Sequence, residues 1–343
     1  MERILSEDRL VVIGASAGGV DALMQLVRDL PGDFPAPIAV VLHVPPDSPS
    51  MLAAILARKG KLHAKTAVDG EEFAAGTIYV AAPNLHLVIN DGDPLTLTLA
   101  RGPRENRHRP AVDPLFRSAA LAAGPNAIGV ILSGTLDDGT AGLVAIKQCG
   151  GVAVVQDPSD AMYSAMPQSA VDNVEVDHVV PLAELAALLT RLVRQSAAPP
   201  PAEAPPPALR LETNMARLDH DALHSDDRPG NPSPYSCPDC GGVLWEIEEP
   251  EYVRYRCRVG HAFSPDTMME AQDDVLEEAL WSAMKTLEEN ARLSSRLAAN
   301  ERSRGNQWLV ERFEEKEREA RSRVEIIRRY LLRGDKPSEA VAR

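Results

Sequence analysis

A series of short apolar runs restricts the fold of this chain more than any other feature. Leu10-Val11-Val12-Ile13, Ile38 to Leu42, Ile128 to Leu132 and Val152 to Val155 are continuous rather than alternating. A strand with no polar face is one buried on both sides. After the first run, Val20, Leu23, Val27 and Leu30 recur at helical spacing, with Asp21, Gln25 and Arg28 on other faces. Gly142 to Gln148 reads as a helix between the last two runs. Buried strands alternating with helices are βαβ units. They imply an α/β fold with a doubly wound, mostly parallel, Rossmann-like sheet covered by helices. Thr77 to Val80 reads as a further strand, and Leu85 to Ile89 and Leu95 to Leu99 flank the turn Asn90-Asp91-Gly92-Asp93, which suggests a hairpin. Aromatic residues make up only 4% of the chain, so aliphatic residues and Ala must fill the core.

The strand–helix pattern occupies residues 1–195. Residues 196–234 begin with the Pro- and Ala-rich stretch Ala197 to Pro207 and carry few apolar side chains. Such a segment buries too little to fold, which predicts a flexible linker that leaves its two sides independent. Residues 235–264 are a compact Cys/His segment, and 265–343 are helical and highly charged. Leu276, Leu280, Met284, Leu287 and Ala291 make one stripe of that tail, and Phe313, Ala320, Val324, Ile327 and Leu331 make another. Gly305 is expected to divide it into two helices, as a hairpin or as a coiled coil for a helical partner or self-association. Acids and bases are interleaved there, as on a solvated face, and the net charge of −14 opposes contact with nucleic acid. No apolar run approaches the ~18 residues of a membrane span, and Met1 to Leu10 lacks the apolar stretch of a signal peptide. A cytoplasmic location is therefore expected.

Three of the four cysteines lie close together. Cys237-Pro238-Asp239-Cys240 and Cys257-Arg258-Val259-Gly260-His261 form C-x2-C and C-x3-H pairs. Four such ligands suit a tetrahedral Zn²⁺, and no adjacent catalytic group argues for more than a structural role. Cys149, at the end of a helix, reads as a buried thiol.

Gly14-Ala15-Ser16-Ala17-Gly18 joins the first strand to the first helix. The pattern suits a nucleophile elbow, where small neighbours permit a sharp turn and the helix start offers free N–H groups to an oxyanion. It equally suits a phosphate-binding turn, although Ser16 stands where G-x-G-x-x-G needs glycine. His43 follows the run Ile38 to Leu42, and Asp137 and Asp138 follow Ile128 to Leu132 in a glycine-punctuated loop. Functional groups of open parallel sheets gather at the carboxyl ends of the strands, so Ser, His and Asp are delivered to one edge. His63, His108, His178, His220 and His224 have polar settings that suit a solvated surface, and His86 suits core packing or a pocket wall.

Several ordered stretches carry a family resemblance. They are Ile13 to Gly19, Leu42-His43-Val44-Pro45-Pro46, Pro110 to Ala119, the loop 133–142 and Ala165 to Ala170. On these, residues 10–195 resemble the catalytic domain of the CheB-type chemotaxis methylesterases. The resemblance implies Ser16 as nucleophile, His43 as general base and Asp138, the acid directly before Gly139, as the residue orienting the base. It implies an oxyanion hole supported by backbone at Ala17 and Thr135. The family loop usually reads T-G-M-G-x-D-G, and Ser133, Thr135 and Leu136 stand here for its Thr, Met and second Gly. The implied reaction is hydrolysis of γ-glutamyl methyl esters, with glutamine deamidation second and no cofactor required. The implied partner is a methyl-accepting chemoreceptor or another methylated signalling protein. A non-catalytic adaptor that binds methylated receptors is the rival reading. Family members often carry an N-terminal receiver domain, and with the first strand at Leu10 none is expected to precede it here. Regulation or targeting is then expected from residues 235–343.

Overall fold

The computed structural model describes residues 8–202, 204–224, 227–249 and 252–334. The apolar runs become strands and the periodic segments between them become helices. In chain order these are β1 (Leu10–Ala15), α1 (Gly19–Asp29), β2 (Ile38–Leu42), α2 (Leu52–Lys59), β3 (His63–Thr66), β4 (Thr77–Val80), β5 (His86–Asn90), β6 (Thr96–Ala100), α3 (Val112–Ala123), β7 (Ala127–Ile131), α4 (Thr140–Gln148), β8 (Val152–Gln156), α5 (Ala165–Asn173), β9 (His178–Val180) and α6 (Leu182–Leu192). Seven of the strands form one sheet in the order β3-β4-β2-β1-β7-β8-β9, and each pairing is parallel. The expected hairpin is β5–β6, paired antiparallel.

Alternate residues of β1 enter two cores. Leu10 and Val12 pack with α3, α4 and the hairpin on one face of the sheet, while Val11, Ile13 and Ala15 pack with α1, α2 and α6 on the other. Burial on both faces is what the unbroken apolar runs require. The chain leaves β1 for β2 on one side and later returns to pair β7 on the other. That reversal opens a crevice beyond the carboxyl ends of β1, β2 and β7.

The segment expected to be a linker is not one throughout. It holds α7 (Pro207–Ala216) and the short α8 (His220–His224). Leu209 of α7 joins the core on the α3 side of the sheet, and Glu212, Thr213, Met215 and Ala216 are buried with it. The physical reason is one helical face, Leu209-Glu212-Thr213-Ala216, with a partner to bury against. Composition averaged over a Pro-rich window hides it. Next come β10 (Asn231–Ser236), β11 (Val243–Glu249), β12 (Tyr252–Cys257) and β13 (Ala262–Phe263), an antiparallel ribbon. This ribbon belongs to the same compact unit as the parallel sheet, which extends to Met268. Tyr252, Arg254 and Arg256, alternate residues of β12, are buried.

The second unit, from Met269, consists of the rest of α9 (Pro265–Ser303) and α10 (Gln307–Gly334). Gly305, at φ 75°, separates them where the sequence places the break. Ala291, Ala298, Val310, Ala320 and Val324 are buried between the helices. Glu288–Arg328 and Arg302–Glu314 pairs cross the hairpin. No helix among the described residues is long and apolar enough to cross a membrane.

Candidate active site

Ser16 leaves the fully buried β1 at a tight turn into α1. The turn depends on Gly18, whose φ of 74° and whose Cα position, where a Cβ would meet Ser133 Oγ at 2.7 Å, exclude other residues. The Ser16 N–H donates to Ser133 O (3.0 Å), and the His43 N–H donates to Ala15 O (3.2 Å), so three strand ends are tied together by backbone. Across them His43 Nδ1 lies 3.1 Å from Ser16 Oγ, and His43 Nε2 lies 2.7 Å from Asp138 Oδ2. The structure thus brings Ser16, His43 and Asp138 into one hydrogen-bonded line.

Asp138 is held from several sides. Its Oδ2 also accepts from the Val112 N–H (2.7 Å), and its Oδ1 accepts from Asn106 Nδ2 (2.9 Å) and the Asp113 N–H (3.2 Å). Burial alone would raise its pKa, but the hydrogen bond and charge of His43 and the donors of Val112 and Asn106 hold it well below the usual carboxylate range. Asp113, buried and close to the Asp138 charge, is pushed up to about 8. The neighbouring Asp137 points elsewhere. Its Oδ1 and Oδ2 accept from Ser264 Oγ and Tyr252 Oη, both at 2.8 Å. Burial raises it to about 6 against those two hydrogen bonds.

Neither the Ala17 nor the Thr135 N–H donates to an acceptor among the described residues. Thr135 follows Gly134, where a Cβ would come within 2.9 Å of the Ser16 Cβ. Leu136 takes φ 59°, the left-handed conformation that suits the glycine usual at this place in the family loop.

The cleft over Ser16 has a volume of about 360 Å³ and is lined by His43, Val44, Pro45, Pro46, His108 and three arginines, Arg104, Arg107 and Arg109. His108, expected on a solvated surface, is half-buried and stacks on His43 with ring centroids 3.7 Å apart. Burial and the neighbouring His43 lower its pKa to about 4. The charged run Arg107-His108-Arg109 suggests solvent, and only the fold turns the imidazole inward. His86 is fully buried, 2.8 Å from Pro103 O, and belongs to the core rather than the cleft. His63 and His220 are exposed and His178 is half-buried; the side chain of His224 lies outside the described residues. Cys149 is buried, which pushes its thiol up to about 11.

The residues of this crevice have known counterparts. A family model described as CheB methylesterase matches residues 11–189. The chain belongs to the CheB methylesterase family. A Leptospira interrogans relative named "Putative protein-glutamate methylesterase/protein-glutamine glutaminase" is 41% identical over 182 residues, which cover 53% of this chain and 93% of the relative. "Protein-glutamate methylesterase/protein-glutamine glutaminase 1" of Xanthomonas euvesicatoria is 40% identical over 195 residues, covering 57% of this chain and 54% of its own length. The crystal structure of the Thermotoga maritima CheB methylesterase catalytic domain superposes with a TM-score of 0.53 at 35% identity, over 54% of this chain and 98% of that one. The domain built on the parallel sheet is accordingly a methylesterase domain.

In the ribbon, Cys237, Cys240, Cys257 and His261 converge, with all ligand atoms within 4.8 Å of one another. Cys240 Sγ and Cys257 Sγ are 3.7 Å apart, and His261 Nδ1 lies 3.7 Å from Cys237 Sγ and 3.6 Å from Cys257 Sγ. No pair is close enough for a disulfide.

Proposed function

We propose that residues 1–195 hydrolyse γ-glutamyl methyl esters on a methyl-accepting chemoreceptor or another methylated signalling protein. Ser16 Oγ attacks the ester carbonyl carbon and gives its proton to His43 Nδ1, while Asp138 holds Nε2–H and stabilises the imidazolium. The Ala17 and Thr135 amides receive the developing oxyanion. The acyl–methoxy bond then breaks, and the proton on His43 leaves with methoxide as methanol. Water next loses a proton to His43 and attacks the acyl-enzyme. The bond to Ser16 breaks, the proton returns to Oγ, and the freed γ-carboxylic acid ionises to glutamate by releasing its proton to solvent. His43 carries the protons of both acyl-transfer steps, so the cycle needs no cofactor. Arg104, Arg107 and Arg109 suit a substrate rich in carboxylates.

The observation that carries this reading is the Ser16–His43–Asp138 line. A serine-reactive phosphonate should label Ser16, and Ser16→Ala should lose methanol release by roughly 10⁴-fold with an unchanged melting temperature. Wild-type turnover in the alanine variant would overturn the reading, and binding of methylated receptor without turnover in the wild type would make the chain an adaptor. Deamidation uses the same acyl chemistry with ammonia as leaving group. It should be the slower activity, because an amide expels a poorer leaving group.

The Cys₃His cluster is proposed to hold one structural Zn²⁺. Metal–sulfur bonds of ~2.3 Å and metal–nitrogen bonds of ~2.0–2.1 Å give tetrahedral edges of about 3.8 Å between sulfurs and about 3.6 Å between sulfur and nitrogen. The separations of 3.6–3.7 Å fit that geometry. Bound zinc would lock the two turns of the ribbon together. Elemental analysis should find one zinc per chain, and metal-replete protein without zinc would set the site aside. Free thiols suit action in the reducing cytoplasm. The α9–α10 hairpin is proposed to target or regulate the enzyme through a helical partner or a second copy, with Trp281 and Trp308 exposed for contact.

A further inference from the structure

We infer that the ribbon is part of the esterase's scaffold, and that Asn106, Tyr252 and Ser264 are positioning residues for the acid of the triad. The inference rests on reading Ser16, His43 and Asp138 as that triad.

Asn106 sits at φ 48° in the loop before α3, held there by its own N–H donating to Ala262 O of β13 (2.8 Å). Its carboxamide has nearly the same shape either way round, so its partners decide which end faces Asp138. The Ser264 N–H donates to Asn106 Oδ1 (3.1 Å), and Thr267 Oγ1 lies 3.4 Å from the same oxygen. That fixes the oxygen toward the ribbon. Asn106 Nδ2 is then left to donate to Asp138 Oδ1 (2.9 Å) and Asp113 Oδ2 (2.8 Å). One unbroken path of hydrogen bonds runs from Ser264, three residues past His261, through Asn106, Asp138 and His43 to Ser16.

A second path reaches the same loop. Asp137, the residue before Asp138, is held by Tyr252 of β12 and by Ser264 Oγ. These donors are buried, so their removal leaves Asp137 short of hydrogen-bond partners. The ribbon itself is seated by Arg256, which donates to Glu105 Oε2 (2.9 Å) next to Asn106 and to Glu212 Oε2 (3.1 Å) on α7. A flexible tether predicts no such joint.

The test uses the full-length chain and a soluble peptide bearing a γ-glutamyl methyl ester, with kcat and KM measured separately. Tyr252→Phe combined with Ser264→Ala should lower kcat about tenfold and leave KM within about twofold, as for small misplacements of a catalytic group. Placed in an Asp138→Asn background, the same pair should cost less than about twofold, because both hydroxyls hold Asp137 and so act on catalysis only by placing the adjoining Asp138. Ser264→Thr, which keeps hydroxyl and amide, should restore the rate. If the pair lowers kcat equally in both backgrounds, the loss is general and the inference falls. Full activity of the pair, with Asp138→Asn impaired, would sink it while leaving the triad intact. An Asp138→Asn enzyme at wild-type rate would instead reject the triad reading. Ser264 also caps α9 by accepting from the Thr267 N–H (3.1 Å). Should the pair fail to fold, Tyr252→Phe alone, which keeps the ring, is read by the same rules with a threshold of about threefold.

Discussion

The parallel sheet and the ribbon hold their functional groups by opposite means. Ser16 and His43 stand at the ends of strands whose residues are aliphatic and buried on both faces. Their positions follow from close packing, which is stiff and has no polar partners to satisfy. The ribbon presents Tyr252, Arg254 and Arg256 inward instead, onto Glu105, Glu212 and Asp137. It also has few buried apolar residues, among them Leu244, Ile247 and Phe263. Hydrophobic burial orders a region without saying much about its register. Buried ion pairs and hydrogen bonds add geometry but tolerate no missing partner. The Ser16–His43–Asp138 line crosses from one regime to the other at Asp138.

Intolerance of a missing partner is greatest at Glu212. Burial opposes its charge, but Arg254, Arg256 and Arg117 hold its carboxyl well below the ordinary range, so it is ionised and paired. Arg254 Nη1 and Nη2 meet its two oxygens at 2.6 and 2.9 Å. Glu212→Ala leaves two buried guanidiniums short of a partner, which costs about 3–5 kcal/mol. The melting temperature should drop on the order of 10 °C. A change under about 2 °C would mean that the joint adds little to the stability of the unit.

A smaller effect sharpens the same contrast through pH. Asp137 is raised to about 6 in the folded chain from an ordinary 3.8, first by burial. The folded state therefore binds its proton more tightly than the unfolded state does. The contribution of Asp137 to stability is greatest below 3.8, declines as pH rises through that value, and levels off above about 6. Asp137→Asn should flatten this limb, as followed by chemical denaturation at pH 4 and pH 7. It should also leave more esterase activity than Asp138→Asn, whose carboxylate contacts His43 directly. An unchanged pH slope would assign the limb to another group, such as Asp113.

How far the sequence reveals this follows the same division. Regions ordered by aliphatic burial are legible, because an unbroken run such as Ile38 to Leu42 states its environment. The short edge strands β3 and β9 carry His, Lys and Thr among few apolar residues and give no such signal. That Ser16, His43 and Asp138 meet at one edge is readable because each follows a legible strand. That Cys237, Cys240, Cys257 and His261 converge is readable by their spacing. Asn106, His108 and Glu212 are not, because a polar residue in a polar stretch looks solvated until the partner that buries it is known. The one available hint was β12, where Arg254 and Arg256 alternate with Val253 and Tyr255 and so must put either the bases or the apolar residues inward.

The smallest predicted effect lies in the loop where the two regimes meet. Leu136 occupies a left-handed conformation at φ 59°, which costs a residue with a Cβ about 1–2 kcal/mol. The surrounding contacts pay for that conformation. Ser133 N–H donates to Gln156 Oε1 on one side of Leu136, and Asp137 is bound by Tyr252 and Ser264 on the other. Leu136→Gly removes the steric cost but adds about 0.5–1 kcal/mol of chain entropy to the unfolded state. The half-buried leucine side chain contributes a little packing in the opposite direction. The net change should be a stabilisation of no more than about 1 kcal/mol, seen as a rise of a few degrees in melting temperature. Because the hydrogen bonds to Asp137 and Asp138 come from outside the substituted residue, kcat should stay within about twofold. A marked loss of kcat without loss of stability would show that the leucine restricts the Thr135 amide directly. In that case the loop, rather than the ribbon, would set the geometry on the acid side of the cleft.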